Sequence, residues 1–206
     1  MFKSKKFLVF YKLFFALLGF SAVVTEIAVI SERGVFNVGN FFSFFTIETN
    51  ILVFITLILS ALAVASGTRR QWLDVLRSMT TVYILVVGIG FAVLLSGLQN
   101  VALTAVPWDN TVLHYIIPIA VLVDFLIDRP KTKIKFKAGL LWVSVPLLYV
   151  VYSLVRGSIT NWYPYPFLNP DLKGFGAVVV TVLGLVVLGI VLIAFVTWLT
   201  RRKNTR

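Results

Sequence analysis

The sequence predicts an all-α integral membrane protein with six transmembrane helices and both termini cytoplasmic. Three observations predict it. Hydrophobic residues make up 59% of the 206-residue chain and the mean hydropathy is +0.97, too apolar for a domain whose surface water has to solvate. Windows of about 20 mostly apolar residues, the length a helix needs to cross roughly 30 Å of hydrocarbon, recur along almost the whole chain. Positive charge gathers in alternate breaks between those windows.

The spans are expected at 7–30, 41–66, 75–97, 108–127, 138–156 and 175–199, forming one transmembrane domain over residues 1–206. The first is too long for a removable signal peptide and no small-residue cleavage site follows it, so it is expected to stay as a helix. The second and third are separated by "SGTRRQW", the third and fourth by "SGLQNVALTAVPW" and the fourth and fifth by "DRPKTKIKFK". The segments "SERGVFNVGN" and "RGSITNWYPYPFLNPDLKG" close the first and fifth spans. Each break carries turn formers or charge. Glycines in "VVGIGF" and "LGLVVLGI" are expected to let helices approach closely. Trp108, Trp142 and Trp198 are expected at the interfaces.

The net charge of +11 would suit a nucleic-acid binder, but its placement argues otherwise. Lys3, Lys5 and Lys6 precede the first span, and Arg69, Arg70 and Arg77 follow the second. Arg129, Lys131, Lys133, Lys135 and Lys137 follow the fourth; Arg201, Arg202, Lys203 and Arg206 end the chain. The other loops hold Arg33, Arg156 and Lys173. This alternation is the positive-inside pattern of a multi-pass protein of the cell membrane. The expected partners are membrane lipids and no nucleic acid; the sequence sets no oligomeric state.

There are no cysteines and one histidine, which excludes disulfides, thiolate chemistry and a multi-histidine metal centre. No metal or cofactor is expected. Hydroxyls, carboxylates and one imidazole remain. Five ionisable groups are placed in or at spans: Glu26, Glu48, Asp109, His114 and Asp124. Such groups are costly in lipid and are functional candidates by default. With the orientation above, Glu26, Thr46, Glu48, Thr49, Asn50, Asp109 and His114 all fall in the outer half of the bilayer. Asp124, beside Asp128 and Arg129, is expected in an interfacial salt bridge near the inner face.

On the second span Thr46 and Asn50 share a face, with Thr49 adjoining, while Glu48 points about 200° away from Thr46 and is expected in a neighbouring helix contact. Asn110 and His114 form another i, i+4 pair on the fourth span, with Pro118 one turn on. A threonine hydroxyl within reach of an imidazole can attack an ester carbonyl and pass its proton to the ring. A carboxylate or amide could orient the ring, and Asn50 or a backbone amide could stabilise the oxyanion. Asn110, Glu48, Glu26 and Asp109 are further candidates for these roles, and Thr49 is the alternative nucleophile. The competing structural reading is one histidine bonded across helices.

The stretches "FFTIETNIL", "TVLHYIIP" and "NWYPYPFL", in this order within six spans, resemble the family of androgen-induced and androgen-dependent TFPI-regulating (ADTRP) membrane proteins, most closely its bacterial six-transmembrane branch. That resemblance implies an intramembrane threonine hydrolase acting on long-chain lipid esters, such as fatty acid esters of hydroxy fatty acids. It implies Thr46 as nucleophile and His114 as its partner. Glu48 departs from the neutral residue expected there. The proline- and aromatic-rich outer loop is expected to cap the cavity or to anchor at the interface.

Two non-enzymatic classes compete. A transporter or lipid-binding protein would use Glu26, Glu48 and His114 as a relay, and its polar residues should continue toward the inner face. Here they are expected mostly to stop in the outer half. A membrane scaffold would make Thr46 and His114 dispensable.

Overall fold

The computed structural model describes residues 4–97 and 104–202; Lys3, Lys203, Arg206 and the centre of the 96–108 break lie outside the described residues. Six long apolar helices account for most of the rest: α1 (Lys5–Glu32), α2 (Phe45–Ser66), α3 (Gln71–Leu94), α4 (Pro107–Ile127), α5 (Phe136–Thr160) and α6 (Phe175–Arg201). Each is long and apolar enough to cross a membrane.

Several boundaries differ from the sequence expectation by two to four residues, and the start of α2 bears on the site. α2 starts four residues later than expected, because Val38–Phe41 forms its own turn capped by Asn37 and Phe44 is extended. Thr46 therefore sits in the first helical turn. α3 starts four residues earlier, at Gln71, and Arg77, expected at the turn after the second span, lies in the helix and is buried. Its carboxylate partners on α4 and just beyond it draw it in.

α1 to α4 form the core bundle. Their inner faces meet around Val53, Ile84, Leu113 and Ile117. A second cluster joins α3 and α6 to the start of α5 around Val82, Trp142, Ile193 and Val196. Trp142 is thus a core residue, not an interfacial one; its carbonyl accepts the Tyr83 hydroxyl at 2.7 Å. α5 and α6 leave apolar rows uncovered, Leu148, Val151, Val155 and Ile159 on one and Val180, Leu183, Val187 and Val191 on the other. At helical spacing these are lipid-facing stripes.

Because lipid tails are as apolar as leucine, close packing and hydrogen bonds between helices have to hold such a bundle together. Gly88 supplies close helix packing between α3 and α4 near the site. A Cβ there would stand 2.9 Å from Pro118 Cβ and 3.1 Å from the His114 carbonyl oxygen. Gly184 and Gly189, by contrast, face open space, so the close packing expected of the α6 glycines is not found.

The basic residues collect at one end of the bundle, where the loops after α2 and α4 meet the end of α6. Arg69 pairs with Asp128, and the Ile134 amide donates to Thr200 Oγ1 at 3.2 Å. Asp124 forms the expected salt bridge at the basic end, but inside the bundle and not at its surface. It is buried between Lys12 Nζ at 2.5 Å and Arg77 Nη2 at 2.9 Å. Lys12, which a survey of in-span carboxylates and histidine leaves out, is fully buried and also reaches Asp128 at 3.0 Å. Burial alone would raise the Asp128 carboxyl, but Arg77, Lys12 and Arg69 outweigh it and hold it below its ordinary value.

Candidate active site

At the opposite end, the first turns of α2 and α4 are apposed beneath the loop that follows α5. α4 is not uniform. Pro118 has no N–H to offer the His114 carbonyl, and residues Val112–Ile116 widen into a single π-helical turn. That turn carries His114. Its ring stacks on Phe91 of α3, with centroids 4.0 Å apart and planes 24° from parallel.

The hydrogen bonds assign the ring's tautomer. Nδ1 lies 3.0 Å from the Asn110 carbonyl oxygen, which can only accept, so Nδ1 carries the proton of the neutral ring. Nε2 then turns a lone pair toward Thr46 Oγ1 at 3.4 Å. The sequence-predicted pair is thus brought together, and Asn110 orients the imidazole through its backbone carbonyl, not its side chain.

Thr46 owes its second set of contacts to its position in the helix. The first amides of a helix have no intrahelical acceptor, and the Thr46 N–H donates instead to the Tyr165 hydroxyl oxygen at 3.1 Å. That hydroxyl also lies 3.1 Å from Thr46 Oγ1. Tyr165 stands in the loop after α5, stacked on Phe167 with planes 5° apart and edge-on to Phe44. Burial pushes its phenol up to about 12, against the opposing effect of its bonds to Thr46; it is a neutral O–H. The loop reaches this position because Gly157 leaves room for the Tyr163 ring against α5. Arg156 then sits 5.0 Å over the Trp162 ring and donates to Asn40 Oδ1.

The other candidates fall in different places. Asn50 is buried and its Nδ2 donates to the carbonyls of Thr46 (2.9 Å) and Leu113 (3.4 Å). Both amide protons are spent on joining α2 to α4, so Asn50 is no oxyanion donor in this arrangement. Thr49 is buried, and among the described residues no hydrogen bond links it to His114. Glu48 is exposed and makes no hydrogen bond or ion pair among the described residues, and its charge lies near the hydroxyls of Tyr149 on α5 and of Tyr165, not at the imidazole. Glu26 accepts the Ala105 amide at 2.8 and 3.0 Å, and Arg33 donates to the Ala105 carbonyl at 3.1 Å. The pair clamps the lead-in to α4 and does not touch the imidazole. Asp109 is fully buried, and its carboxyl shares a side-chain hydrogen bond with that of Glu26.

Two cavities meet at Thr46 and Tyr165. One, of about 110 Å³, is apolar and runs between α3, α5 and α6 past Val86, Leu94, Leu147 and Leu185. The other, of about 320 Å³, is lined by Glu26, Arg33, Asn37, Asn40 and His114. Both take in Thr46 and Tyr165. Comparison with protein-family models, curated proteins and solved structures finds no match to this chain.

Tyr165 is the site residue that the spacing argument misses. Its only sequence signal is an aromatic between two prolines in "YPYPF", inside a loop expected to cap the cavity. Buried polar groups also continue beyond the site. Thr56 and Thr80 are 3.4 Å apart, and Thr80, Thr81, Arg77 and Asp124 border a water-sized space of about 10 Å³. The expectation that polar residues stop in the outer half is therefore wrong.

Proposed function

We propose that this chain is an intramembrane lipid ester hydrolase with Thr46 as nucleophile and His114 as base. The observation that carries the reading is the chain of hydrogen bonds from the Asn110 carbonyl through His114 to Thr46 Oγ1. As Oγ1 bonds to the ester carbonyl carbon, its proton passes to Nε2 and the π pair moves onto the carbonyl oxygen. Collapse of that adduct re-forms the carbonyl and expels the alcohol oxygen, which takes the proton back from Nε2. Water then attacks the acyl-threonine by the same route and releases the acid. The start of α2 favours negative charge developing beside Thr46.

The paired cavities suit such a substrate. The apolar space between α3, α5 and α6 would take the first carbons of an acyl chain next to the ester, while the polar vestibule admits water and the leaving alcohol. The resemblance to the androgen-induced family adds fatty acid esters of hydroxy fatty acids as the first substrates to try. By the positive-inside rule we place the basic end and both termini in the cytoplasm, and Thr46 toward the outer leaflet.

The test is fluorophosphonate labelling of the detergent-purified protein, with hydrolysis of a branched fatty acid ester followed in parallel. Label and turnover lost in Thr46→Ala and His114→Ala but kept in Thr49→Ala are expected. A wild-type protein that neither labels nor hydrolyses any lipid ester would sink the reading. The buried polar column from Thr56 to Asp124 favours one second reading, a proton or cation path across the bundle. Ion flux in liposomes, abolished by Asp124→Asn, would support it.

A further inference from the structure

A hydrolase of this kind needs a donor for the oxyanion, and the candidate read from sequence, Asn50, has both amide protons committed to backbone carbonyls. The bundle provides another hydroxyl. We propose that the Tyr165 hydroxyl is the oxyanion donor of the reaction, a catalytic residue supplied by the loop after α5; this rests on the hydrolase reading above.

Three observations lead there. The Tyr165 oxygen lies 3.1 Å from Thr46 Oγ1, the atom to which the carbonyl carbon becomes bonded, so the carbonyl oxygen forms within reach of the phenol. The direction of its proton follows from its neighbours. The Tyr165 oxygen accepts the Thr46 N–H, and Thr46 O–H is drawn to His114 Nε2, so the phenolic proton is the one left to point at Oγ1. In the adduct it turns to the adjacent oxyanion, while the Thr46 N–H stays on the phenol oxygen and holds it in place. Lastly, burial keeps the phenol protonated, as a donor must be.

The geometry is also rigid. Tyr165 is 7% exposed, and its ring lies between Phe44 and Phe167. A donor held before the charge develops costs no reorganisation when it does. The step balances within the site. The oxyanion keeps its electron pair and only accepts a hydrogen bond, while the transferred proton remains on His114. No further reactant is required beyond water.

Tyr165→Phe keeps the ring and its stacking and removes the donor. Measured on the whole protein in detergent, with thermal unfolding as the check on folding, it is expected to lower kcat and the fluorophosphonate labelling rate by about 10²–10³-fold with KM little changed. Fluorotyrosine at 165 keeps the O–H and makes it a stronger donor, so labelling at a pH below its lowered pKa is expected to stay at or above the wild-type rate. A Tyr165→Phe protein that labels at the wild-type rate, while Thr46→Ala does not label, overturns the assignment and leaves the hydrolase standing. A Tyr165→Phe loss that fluorotyrosine shares overturns it too, since that pattern follows packing and not the donor. Absence of any Thr46-dependent labelling in the wild type overturns both.

Discussion

The imidazole Nε2 of His114 lies 3.4 Å from Oγ1 of Thr46, although 68 residues separate them. The distance is long for a strong hydrogen bond, and under the proposed hydrolase reading it is expected to shorten around substrate. Thr46 is held from its backbone, through its amide to Tyr165 and its carbonyl to Asn50, and His114 through Nδ1 to Asn110. The pair is therefore positioned by groups that are not themselves consumed.

Removing either member should abolish turnover. Thr46→Ala and His114→Ala are each expected to lower kcat by on the order of 10³-fold or more, with similar losses in the double variant, because the two act as one unit. Thr49→Ala should stay near wild type. Steady-state hydrolysis of a lipid ester by the four proteins decides this, and additive losses in the double variant would argue against a shared step.

Asn50 is predicted to act through alignment. Its side chain ties the Thr46 and Leu113 carbonyls across α2 and α4, and Asn50→Ala leaves at least one of them buried without this partner. A stability loss of about 1–3 kcal/mol is expected, read as a lower midpoint in detergent unfolding. Activity in the folded fraction should fall further than stability accounts for, since the nucleophile's helix is released from its neighbour.

Gly88 makes a sharper test of geometry. Its missing Cβ would meet Pro118 and the His114 carbonyl. Gly88→Ala should push the π turn away from α3, costing about 1–3 kcal/mol and about 10²-fold in kcat through misplacement of the ring. Gly90→Ala is the control, because its Cβ would stand 3.6 Å from Leu185 Cδ2, an ordinary contact. Equal effects at the two glycines would refute the argument.

Much of this was legible in the chain. Hydropathy alone yields six helices because lipid is the solvent and leaves few alternatives. Depth along the spans then brings Thr46 and His114 together, and i, i+4 spacing finds Asn50 beside Thr46 and Asn110 beside His114. What depth cannot supply is rotation and loop path. Glu48 sits among the site's residues in sequence yet faces out, and Glu26 binds a backbone lead-in instead of the ring. Tyr165 enters from a loop whose course depends on Gly157 and Arg156, neither of which has a spacing rule. Arg77 reads as a flanking charge and Lys12 passes unplaced inside the first span until the buried carboxylates of Asp124 and Asp128 are seen to hold them.

Those charges predict an acid response. Asp128 is held below its ordinary value of 3.8 by three cations, despite burial. A carboxylate with a depressed folded pKa stabilises the fold above its unfolded pKa and stops doing so as pH falls through the folded value. This contribution to the unfolding midpoint in detergent should be constant from neutral pH down to about 5 and decline below about 4. Asp128→Asn removes one of the two anions that face Lys12, Arg77 and Arg69, and should cost about 3–5 kcal/mol at neutral pH while flattening the acid limb. An Asp128→Asn protein that keeps the full acid slope would assign that slope to other groups.

Orientation can be tested directly because the chain contains no cysteine. Lys133 and Lys173 are both exposed, the first in the basic loop after α4 and the second in the loop that carries Tyr165. Single cysteines at these two positions report on opposite ends of the bundle with no background thiol. If the basic end is cytoplasmic, a membrane-impermeant maleimide added to intact cells should label Lys173→Cys and reach Lys133→Cys only after permeabilisation. The same result bears on the proposed mechanism, since it would place the polar vestibule, and the water needed to deacylate Thr46, on the external side. Labelling of Lys133→Cys alone in intact cells would invert the protein and turn the vestibule toward the cytoplasm, leaving the chemistry of the site unchanged but reversing where its products are released.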